Sequence, residues 1–385
     1  MDLRYGTNPQ QQASIAPVVD DRWPFQVRNG RPGYINLLDA LNAWQLVQQA
    51  TRALRKPAAT SFKHVSPAGA AVAGPIDDVV ASLYGVDGSQ VGPLTSAYLR
   101  ARDADPKSSY GDFVALSHPV DEELAQLLAR VVCDGVIAPS YEPAALQVLS
   151  QKKSGSFLVL EGDPAFEPPT EERRDLFGVR FRQSRDTVEI GPAVLTDVVG
   201  APLSSQLRDD LLLGLIVLRF TQSNSTCYVR DGQTLGIGAG QQSRVDCTRL
   251  AGAKLDTWWL RRHPVVRRLD FRPEVRRQDR INWQIRFIEG DLTTDERRNF
   301  EAALATPPPG EVTGERRREW LSQLAGVAFA SDGFLPFRDN VDHAARHGVA
   351  AIAEPGGSVR SEEIEAASRE HRITLVRTHL RLFHH

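Results

Sequence analysis

Apolar residues recur at helical spacing between Asp121 and Val132, and this pattern predicts an amphipathic helix. Leu124, Leu127, Leu128 and Val131 follow the i, i+3, i+4, i+7 spacing that aligns side chains on one helical face. Polar residues occupy the positions between them, so the opposite face is expected to contact solvent.

The elements that follow alternate between short strands and helices. The apolar stretch Val136–Ala138 predicts a strand, and Pro143 predicts the first turn of a helix that continues to Leu149. The C-terminal region repeats this order, with a predicted helix at Asn340–Arg346, a strand at Val349–Ala353, a helix capped by Ser361 and a strand at Ile373–Val376. This alternation indicates a layered α/β architecture, and the repeated order predicts two similar lobes.

Irregular segments interrupt these periodic runs. Proline, glycine and charged residues break the pattern between Asp163 and Gln206, so we predict one domain over 1–195 and a second over 196–385. A second interruption, Thr306–Gly314, contains three consecutive prolines followed by glycine and predicts an exposed insertion without regular structure.

Composition limits the classes of protein that this chain can belong to. Its 385 residues are 41% hydrophobic and 24% charged, which is typical of a globular protein with two domains or lobes. The longest apolar run, Leu211–Leu218, is far shorter than the ~20 residues of a membrane helix, and the first residues do not resemble a signal peptide. We therefore expect no membrane association and a cytoplasmic location. Cys133, Cys227 and Cys247 are isolated, so buried thiols are expected rather than disulfides or a zinc site.

Charge gives no sign of a nucleic-acid partner. The formal net charge is −2, so an anionic ligand must be bound by locally placed arginine and lysine. Segment 261–287 has nine arginines, but Asp270, Glu274 and Asp279 interrupt them, and this balance favours a solvated helical face.

A glycine-rich segment runs from Asp231 to Lys254. Gly236, Gly238 and Gly240 occupy every second position, and this GxGxG spacing differs from the GxGxxG of dinucleotide-binding loops. We interpret the segment as a strand packed closely against a neighbour.

Lys63 and His64 are adjacent in the segment SFKHVSPAG, on a predicted turn. Histidine titrates near neutral pH and lysine carries a mobile positive charge, so the pair suits chemistry in which one group loses a proton while another gains negative charge. A solvated turn is the alternative interpretation of this dipeptide.

Seven segments together resemble one enzyme family. They are LRYGTNPQQ, SFKHVSPAG, DPKSSYGDFVALS, DGVIAPSYEPAALQVLSQKKSG, TQSNSTCYVRDGQTLGIGAGQQSRVDCTRLAGAK, ASDGFLPFRDNVDHA and RLFHH. In this order they are similar to AICAR transformylase, the formyltransferase half of the bifunctional purine-biosynthesis protein that also carries IMP cyclohydrolase. The resemblance extends from Leu3 to His385.

The resemblance implies formyl transfer from 10-formyltetrahydrofolate to the 5-amino group of aminoimidazole carboxamide ribotide (AICAR). It also implies two cytidine-deaminase-like lobes with layered α/β/α sheets. The HxE and PCxxC zinc ligands of a deaminase are absent from this sequence, so a zinc-dependent deaminase is not expected.

The resemblance also implies roles for individual residues. The catalytic group is expected to comprise Lys63, His64, Asn224 and Asp339. Substrate contacts are expected from Arg4, Tyr5, Gly111, Asp134, Lys153, Arg381 and Phe383, and folate contacts from Arg244, Phe334, Pro336, Phe337 and Asn340. Three positions depart from the family pattern: Tyr110 and Leu335 where phenylalanine is usual, and Gly333 where alanine is commoner.

The expected partners are small molecules and a second copy of the chain. The family implies a homodimer with sites shared between subunits, and the chain begins near the transformylase start, so we expect a monofunctional transformylase with a separate cyclohydrolase as a further partner. A requirement for a monovalent cation stays open. Two alternatives also stay open: a catalytically silent nucleotide- or folate-binding protein, and a formyltransferase that acts on a related aminoimidazole.

Overall fold

One sheet of twelve strands runs through the molecule, and its two halves have the same strand order. The computed structural model describes all 385 residues. The first half contains β1 Phe25–Asn29, α1 Tyr34–Leu54, β2 Ala58–Lys63, β3 Ser66–Val72, α2 Asp78–Tyr84, α3 Pro93–Asp103, β4 Asp112–Leu116, α4 Glu122–Arg130, β5 Cys133–Ala138, α5 Pro143–Gln151 and β6 Leu158–Gly162. A separate exposed hairpin follows, with β7 at Glu171–Leu176 and β8 at Val179–Ser184.

The second half repeats this succession and has three more helices than the first. It contains β9 Asp197–Val199, α6 Ser205–Arg219, β10 Thr226–Arg230, β11 Gln233–Gly238, α7 Arg244–Leu260, α8 Pro264–Arg267, α9 Arg277–Glu289, α10 Thr294–Ala303, α11 Gly314–Leu321, β12 Val327–Ser331, α12 Asp339–Ala345, β13 Val349–Glu354, α13 Ser361–Glu370 and β14 Thr374–Arg377.

The strand order is β1-β6-β5-β4-β2-β3 in the first half and, from its own outer edge, β9-β14-β13-β12-β10-β11 in the second. Both halves contain the same antiparallel hairpin and the same three parallel strands. The antiparallel pair β3–β11 joins them, where Ala71 lies opposite Gln233 and the Val72 N–H donates to the Gly232 carbonyl at 2.9 Å. The α/β prediction is confirmed. The domain limits at 195 and 196 and the relation to cytidine deaminases stay predictions.

Helices cover both faces of the sheet, which explains why the strands are almost entirely apolar. In β4, Phe113 and Ala115 belong to the core shared with α1 and α6, whereas Val114 and Leu116 pack against α3 and α4 on the other face. The second half has the corresponding outer layer of α7, α12 and α13. None of the helices combines the length and the apolar character that a membrane span requires.

Local sequence signals explain several element boundaries. The helix predicted at Asp121–Val132 is α4, and the Asp121 carboxylate accepts a hydrogen bond from the Leu124 N–H at 2.9 Å as its N-cap. Pro143 begins α5 as predicted, and the segment 305–313 has no helix or strand. Ser361 is the first residue of α13 rather than its cap, because the cap position belongs to Arg360.

The glycine-rich segment packs closely against a helix, as predicted. A Cβ on Gly236 would lie 2.1 Å from the Ala251 carbonyl oxygen, and a Cβ on Gly238 would lie 2.3 Å from that of Cys247. These glycines therefore allow β11 to contact the backbone of α7 directly. The interpretation as a dinucleotide loop has no support in this geometry.

One prediction about the arginine-rich segment was wrong. Arg261 is fully buried instead of solvated, because its guanidinium donates to Asp103 Oδ1 at 2.7 Å. Arg262 donates to Asp103 Oδ2, also at 2.7 Å, so one buried carboxylate binds two arginines and ties α7 to α3. Periodicity could not reveal this, since Asp103 lies far away in the sequence.

Each half also buries one aspartate on its central helix. Asp39 of α1 accepts a hydrogen bond from the Val65 N–H at 2.7 Å, and Asp210 of α6 accepts one from the Gly232 N–H at 2.6 Å. Burial raises the pKa of both carboxyl groups from 3.8 to about 6, against the opposing effect of these backbone hydrogen bonds.

These raised pKa values predict a stability that falls as the pH rises from about 4 to about 6. In this range the folded chain retains two protons that the unfolded chain has released, so deprotonation costs up to about 3 kcal/mol for each carboxyl. Urea unfolding across this range should show a steeper loss of stability for the wild type than for a variant with Asp39→Asn and Asp210→Asn. Parallel curves for the two proteins would contradict the assignment.

Candidate active site

The predicted site residues come from distant segments, and the strand directions bring these segments to one edge of the sheet. β2 ends where β4 begins, because Phe62 lies opposite Phe113 in an antiparallel pair. In the second half, β12 ends beside the start of β10, since Ser331 lies opposite Thr226. β3 begins where β11 ends, because those two strands are also antiparallel. We call this the Lys63 edge.

Every predicted site residue lies at or beside the strand ends of the Lys63 edge. The first half contributes Arg4, Tyr5, Lys63, His64, Gly111, Asp134 and Lys153, and the second contributes Asn224, Arg244, Phe334, Pro336, Phe337, Asp339, Asn340, Arg381 and Phe383.

Lys63 and His64 lie at the tip of the β2–β3 hairpin. Lys63 pairs with Ser66, which leaves His64 and Val65 as a two-residue turn in which both φ angles are positive, 54° and 57°. The Lys63 ammonium donates to the Tyr110 carbonyl oxygen at 2.6 Å, while the His64 side chain is exposed. The imidazole is therefore accessible to a ligand, and the ammonium is held at the Tyr110 carbonyl.

Asn224 and Arg244 form a second group at this edge. The Arg244 guanidinium donates to Asn224 Oδ1 at 2.7 Å, and Asn224 Nδ2 donates to the Gln241 carbonyl at 2.8 Å. The Gln222 N–H donates to the Ser66 hydroxyl at 3.3 Å, which places this loop against the start of β3. The two groups are thus neighbours across the joint between the halves.

Asp332 is a residue that the sequence analysis missed. Its side chain is fully buried, forms an ion pair with Arg244 and accepts hydrogen bonds from the Ser223 hydroxyl at 2.6 Å and the Ser225 N–H at 3.0 Å. It therefore holds the loop on both sides of Asn224. A usable signal was an acidic residue directly after the apolar strand β12.

The C-terminal segment is attached to the same loop. The Ser223 N–H donates to the His384 carbonyl at 3.0 Å, and the Leu382 N–H donates to the Asp332 carbonyl at 2.8 Å. These bonds place Arg381 and Phe383 at the Lys63 edge, with the Arg381 guanidinium 4.7 Å from the centre of the Phe383 ring.

Exposed aromatic side chains are concentrated at this edge. Phe334 is 48% exposed and Phe337 is 50% exposed, and Tyr5, Tyr110 and Phe383 are also among the exposed large side chains. Large apolar groups that stay in contact with solvent commonly mark a ligand or protein interface. By contrast, Leu335 is fully buried in the core beside α12, so this departure from the family pattern affects packing.

Basic residues for an anionic ligand lie at the first-half end of the edge. Arg4 donates to Asn36 Oδ1 at 2.9 Å, and the Lys153 ammonium lies 3.0 Å from Asp134 Oδ1 in an exposed ion pair. Gly111, directly before β4, has a positive φ of 76°, and a Cβ placed there would meet no atom within 4 Å. The backbone at Gly111 and the cationic side chains of Arg4 and Lys153 are therefore accessible to solvent.

Asp339 and Asn340 begin α12 behind the exposed phenylalanines. Asn340 is fully buried, accepts a hydrogen bond from the Thr248 hydroxyl at 3.2 Å and donates to Asp339 Oδ1 at 2.8 Å. Its amide therefore links α12 to α7, and Asp339 is the more accessible of the two.

Gly333 makes room for two predicted ligand contacts. A Cβ at this position would lie 2.5 Å from Arg244 Nη2 and 2.8 Å from Phe383 Cε1. We therefore expect Gly333→Ala to displace one of these side chains and to raise the KM of a substrate by roughly fivefold, as overpacking commonly costs about 1 kcal/mol or more. Steady-state kinetics of the variant test this.

Gly191→Ala is the matched control, because a Cβ there would meet no atom within 4 Å. Equal KM values for Gly333→Ala and the wild type would show that the close approach has no functional consequence.

Two other features lie away from this edge or play no evident part in it. A cleft of about 460 Å³, lined by Arg100, Trp258, Arg262 and Trp320 among others, lies at the opposite edge. All three cysteines are free and buried as predicted, and no group of three or more His, Cys, Asp or Glu side chains converges in a metal-binding arrangement.

Fold and site together define an α/β protein that gathers Lys, His, Asn, Arg and exposed aromatic side chains at one edge of a repeated sheet. The family model described as "AICARFT/IMPCHase bienzyme" matches residues 1–254. The bifunctional purine biosynthesis protein PurH of Magnetococcus marinus is 31% identical over 391 aligned residues, which cover 100% of this chain and 59% of the relative.

The chain therefore belongs to the AICARFT/IMPCHase bienzyme family, as the seven motifs predicted. It spans about three fifths of the length of that curated relative.

Proposed function

We propose that this chain transfers a formyl group from 10-formyltetrahydrofolate to the 5-amino group of AICAR, giving formyl-AICAR and tetrahydrofolate in purine biosynthesis. The observation that carries the proposal is the accessible Lys63–His64 pair, which lies at the same sheet edge as Asn224 and Arg244. Family membership supplies the substrate class, because its name includes AICAR formyltransferase.

The acceptor amine requires help from a base. Its lone pair is delocalised into the imidazole ring, so it must lose a proton as its nitrogen bonds to the formyl carbon. His64 is the proposed base, because its exposed imidazole can reach a bound ligand and histidine is the side chain most often used as a general base.

Attack converts the formyl C=O into an oxyanion, and collapse of this intermediate breaks the bond to N10 of the folate. N10 leaves as an amine only after it gains a proton. The Lys63 ammonium donates one N–H to the Tyr110 carbonyl. Its two other N–H groups are available to stabilise the oxyanion or to protonate N10.

The remaining predicted residues fit binding roles. Arg4, Lys153 and Arg381 supply cations for the ribotide phosphate, and Phe334, Pro336 and Phe337 supply apolar surface for the pterin. The exposure of these aromatic side chains in one chain supports a site completed by a second subunit, as in a homodimer.

The direct test is to mix purified protein with AICAR and 10-formyltetrahydrofolate, follow tetrahydrofolate by absorbance and identify formyl-AICAR by mass spectrometry. We expect both products in equal amounts, and neither when AICAR is omitted. Absence of both products would reject the proposal. An aminoimidazole that lacks the carboxamide, used in parallel, tests acceptor choice.

A further inference from the structure

The two central hairpins of the sheet have the same backbone conformation but different residues at their tips. His64 and Val65 turn the β2–β3 hairpin with φ angles of 54° and 57°, and Asp231 and Gly232 turn the β10–β11 hairpin with φ angles of 54° and 72°. Two-residue hairpins with both φ angles positive strongly favour Asn-Gly or Asp-Gly. The second hairpin follows this rule and the first does not.

The residues of the first tip make its conformation costly. A side chain with a branched Cβ, such as that of Val65, clashes with the backbone when φ is positive, so valine is rare there. Strain of this kind persists only where surrounding contacts hold it, and it is concentrated at functional sites. The strained tip is the one that carries Lys63 and His64.

One carboxylate on α1 is placed to hold this tip. Asp39 is only 6% exposed, and its Oδ1 accepts the Val65 N–H at 2.7 Å. The groups that face it are the His64 imidazole, which favours the ionised carboxylate when it is protonated, and the Asp134 carboxylate, which opposes it. Asp39 therefore forms a hydrogen bond with the backbone of the tip and also interacts electrostatically with His64.

Asp210 occupies the corresponding place in the second half. It accepts the Gly232 N–H at 2.6 Å and the Asp231 N–H at 3.0 Å. That hairpin lies at the opposite edge of the sheet, because β3 and β11 are antiparallel, and none of the predicted site residues lies on it. The second half thus contains the same type of aspartate–turn hydrogen bond, but its turn has an ordinary sequence and lies away from the candidate site.

We propose that Asp39 is a positioning residue that holds the His64–Val65 turn in its left-handed conformation and thereby directs Lys63 and His64 toward the substrates. This inference rests on the proposed function and identifies a residue that positions His64, the proposed base, and Lys63, the proposed cation. Asp210 holds a turn that needs no such support.

The test compares Asp39→Ala, Val65→Gly, the double variant and the control Asp210→Ala in the formyl-transfer assay. Alanine is chosen because an asparagine side chain would still accept the Val65 N–H. We expect Asp39→Ala to lower kcat about tenfold or more and to change the KM of AICAR little, since holding one strained residue is worth roughly that factor. Glycine adopts a positive φ freely, so the double variant should regain most of the lost kcat. Asp210→Ala should keep kcat within about twofold.

Thermal denaturation of every variant shows whether the assayed protein is folded. The positioning role is overturned if folded Asp39→Ala has the kcat of the wild type, if Asp210→Ala loses as much, or if the double variant regains nothing. Two-dimensional NMR of the His64 imidazole gives a readout independent of turnover: its resonances should shift in Asp39→Ala and return in the double variant. If the wild type transfers no formyl group, the proposed function fails, while this NMR comparison still decides whether Asp39 holds the turn.

Discussion

His64→Ala is expected to reduce the kcat of formyl transfer by roughly two to four orders of magnitude, the usual contribution of a general base. The imidazole is exposed at the hairpin tip, so the variant should fold normally and still bind AICAR. Turnover measured by tetrahydrofolate release, together with calorimetric titration of AICAR, separates lost chemistry from lost binding.

His118→Ala is the matched control for this variant. His118 is also exposed, but it follows the end of β4 at Leu116 and therefore lies at the opposite edge of the sheet. Its removal should leave kcat within about twofold. Equal activity of His64→Ala and His118→Ala would remove His64 from the mechanism and would favour the interpretation of Lys63–His64 as a solvated turn.

Asp332→Ala is expected to have the second large effect, on both stability and catalysis. The carboxylate is fully buried beside Arg244, which is itself only 8% exposed, so the variant leaves a buried cation without its partner. Such losses typically cost about 3–5 kcal/mol. The Asn224 loop also loses its bonds from the Ser223 hydroxyl and the Ser225 N–H, so kcat/KM of the folded protein should fall.

Asp103→Ala provides the comparison for stability alone. Asp103 is an equally buried partner of Arg261 and Arg262, and neither arginine is among the predicted site residues. Urea unfolding should show a comparable loss for both variants, whereas kcat/KM measured at low temperature should fall only for Asp332→Ala. Identical kinetics for the two variants would show that Asp332 has only a structural role.

Local patterns predicted most of the elements near the candidate site. The spacing of leucines in α4, Pro143 at the start of α5 and the apolar stretch of β13 each act within a few residues, so periodicity and capping rules identify them. The same rules misjudged Arg261, because its partner Asp103 belongs to another helix and no local signal marks a buried ion pair.

The candidate site was predicted unevenly for a related reason. Lys63 and His64 were visible as neighbouring residues with complementary chemistry, and the motifs identified the family. Asp39 and Asp332 were not visible, because each carboxylate acts on backbone N–H groups of a loop that lies 26 or 107 residues away. Leu335, one of the departures from the family pattern, is fully buried, since its side chain points into the core from the same turn that exposes Phe334.

By itself, the sequence determined the α/β alternation, the glycines that allow β11 to approach α7, and the adjacent lysine and histidine with complementary chemistry. Only the tertiary structure decided that two similar halves share one sheet and that their strand ends meet at the Lys63 edge. It also decided that a buried carboxylate holds a strained histidine turn there. The physical reason is range: periodicity and turn chemistry act between near neighbours, whereas strand pairing and buried hydrogen bonds join residues that only the complete fold brings together.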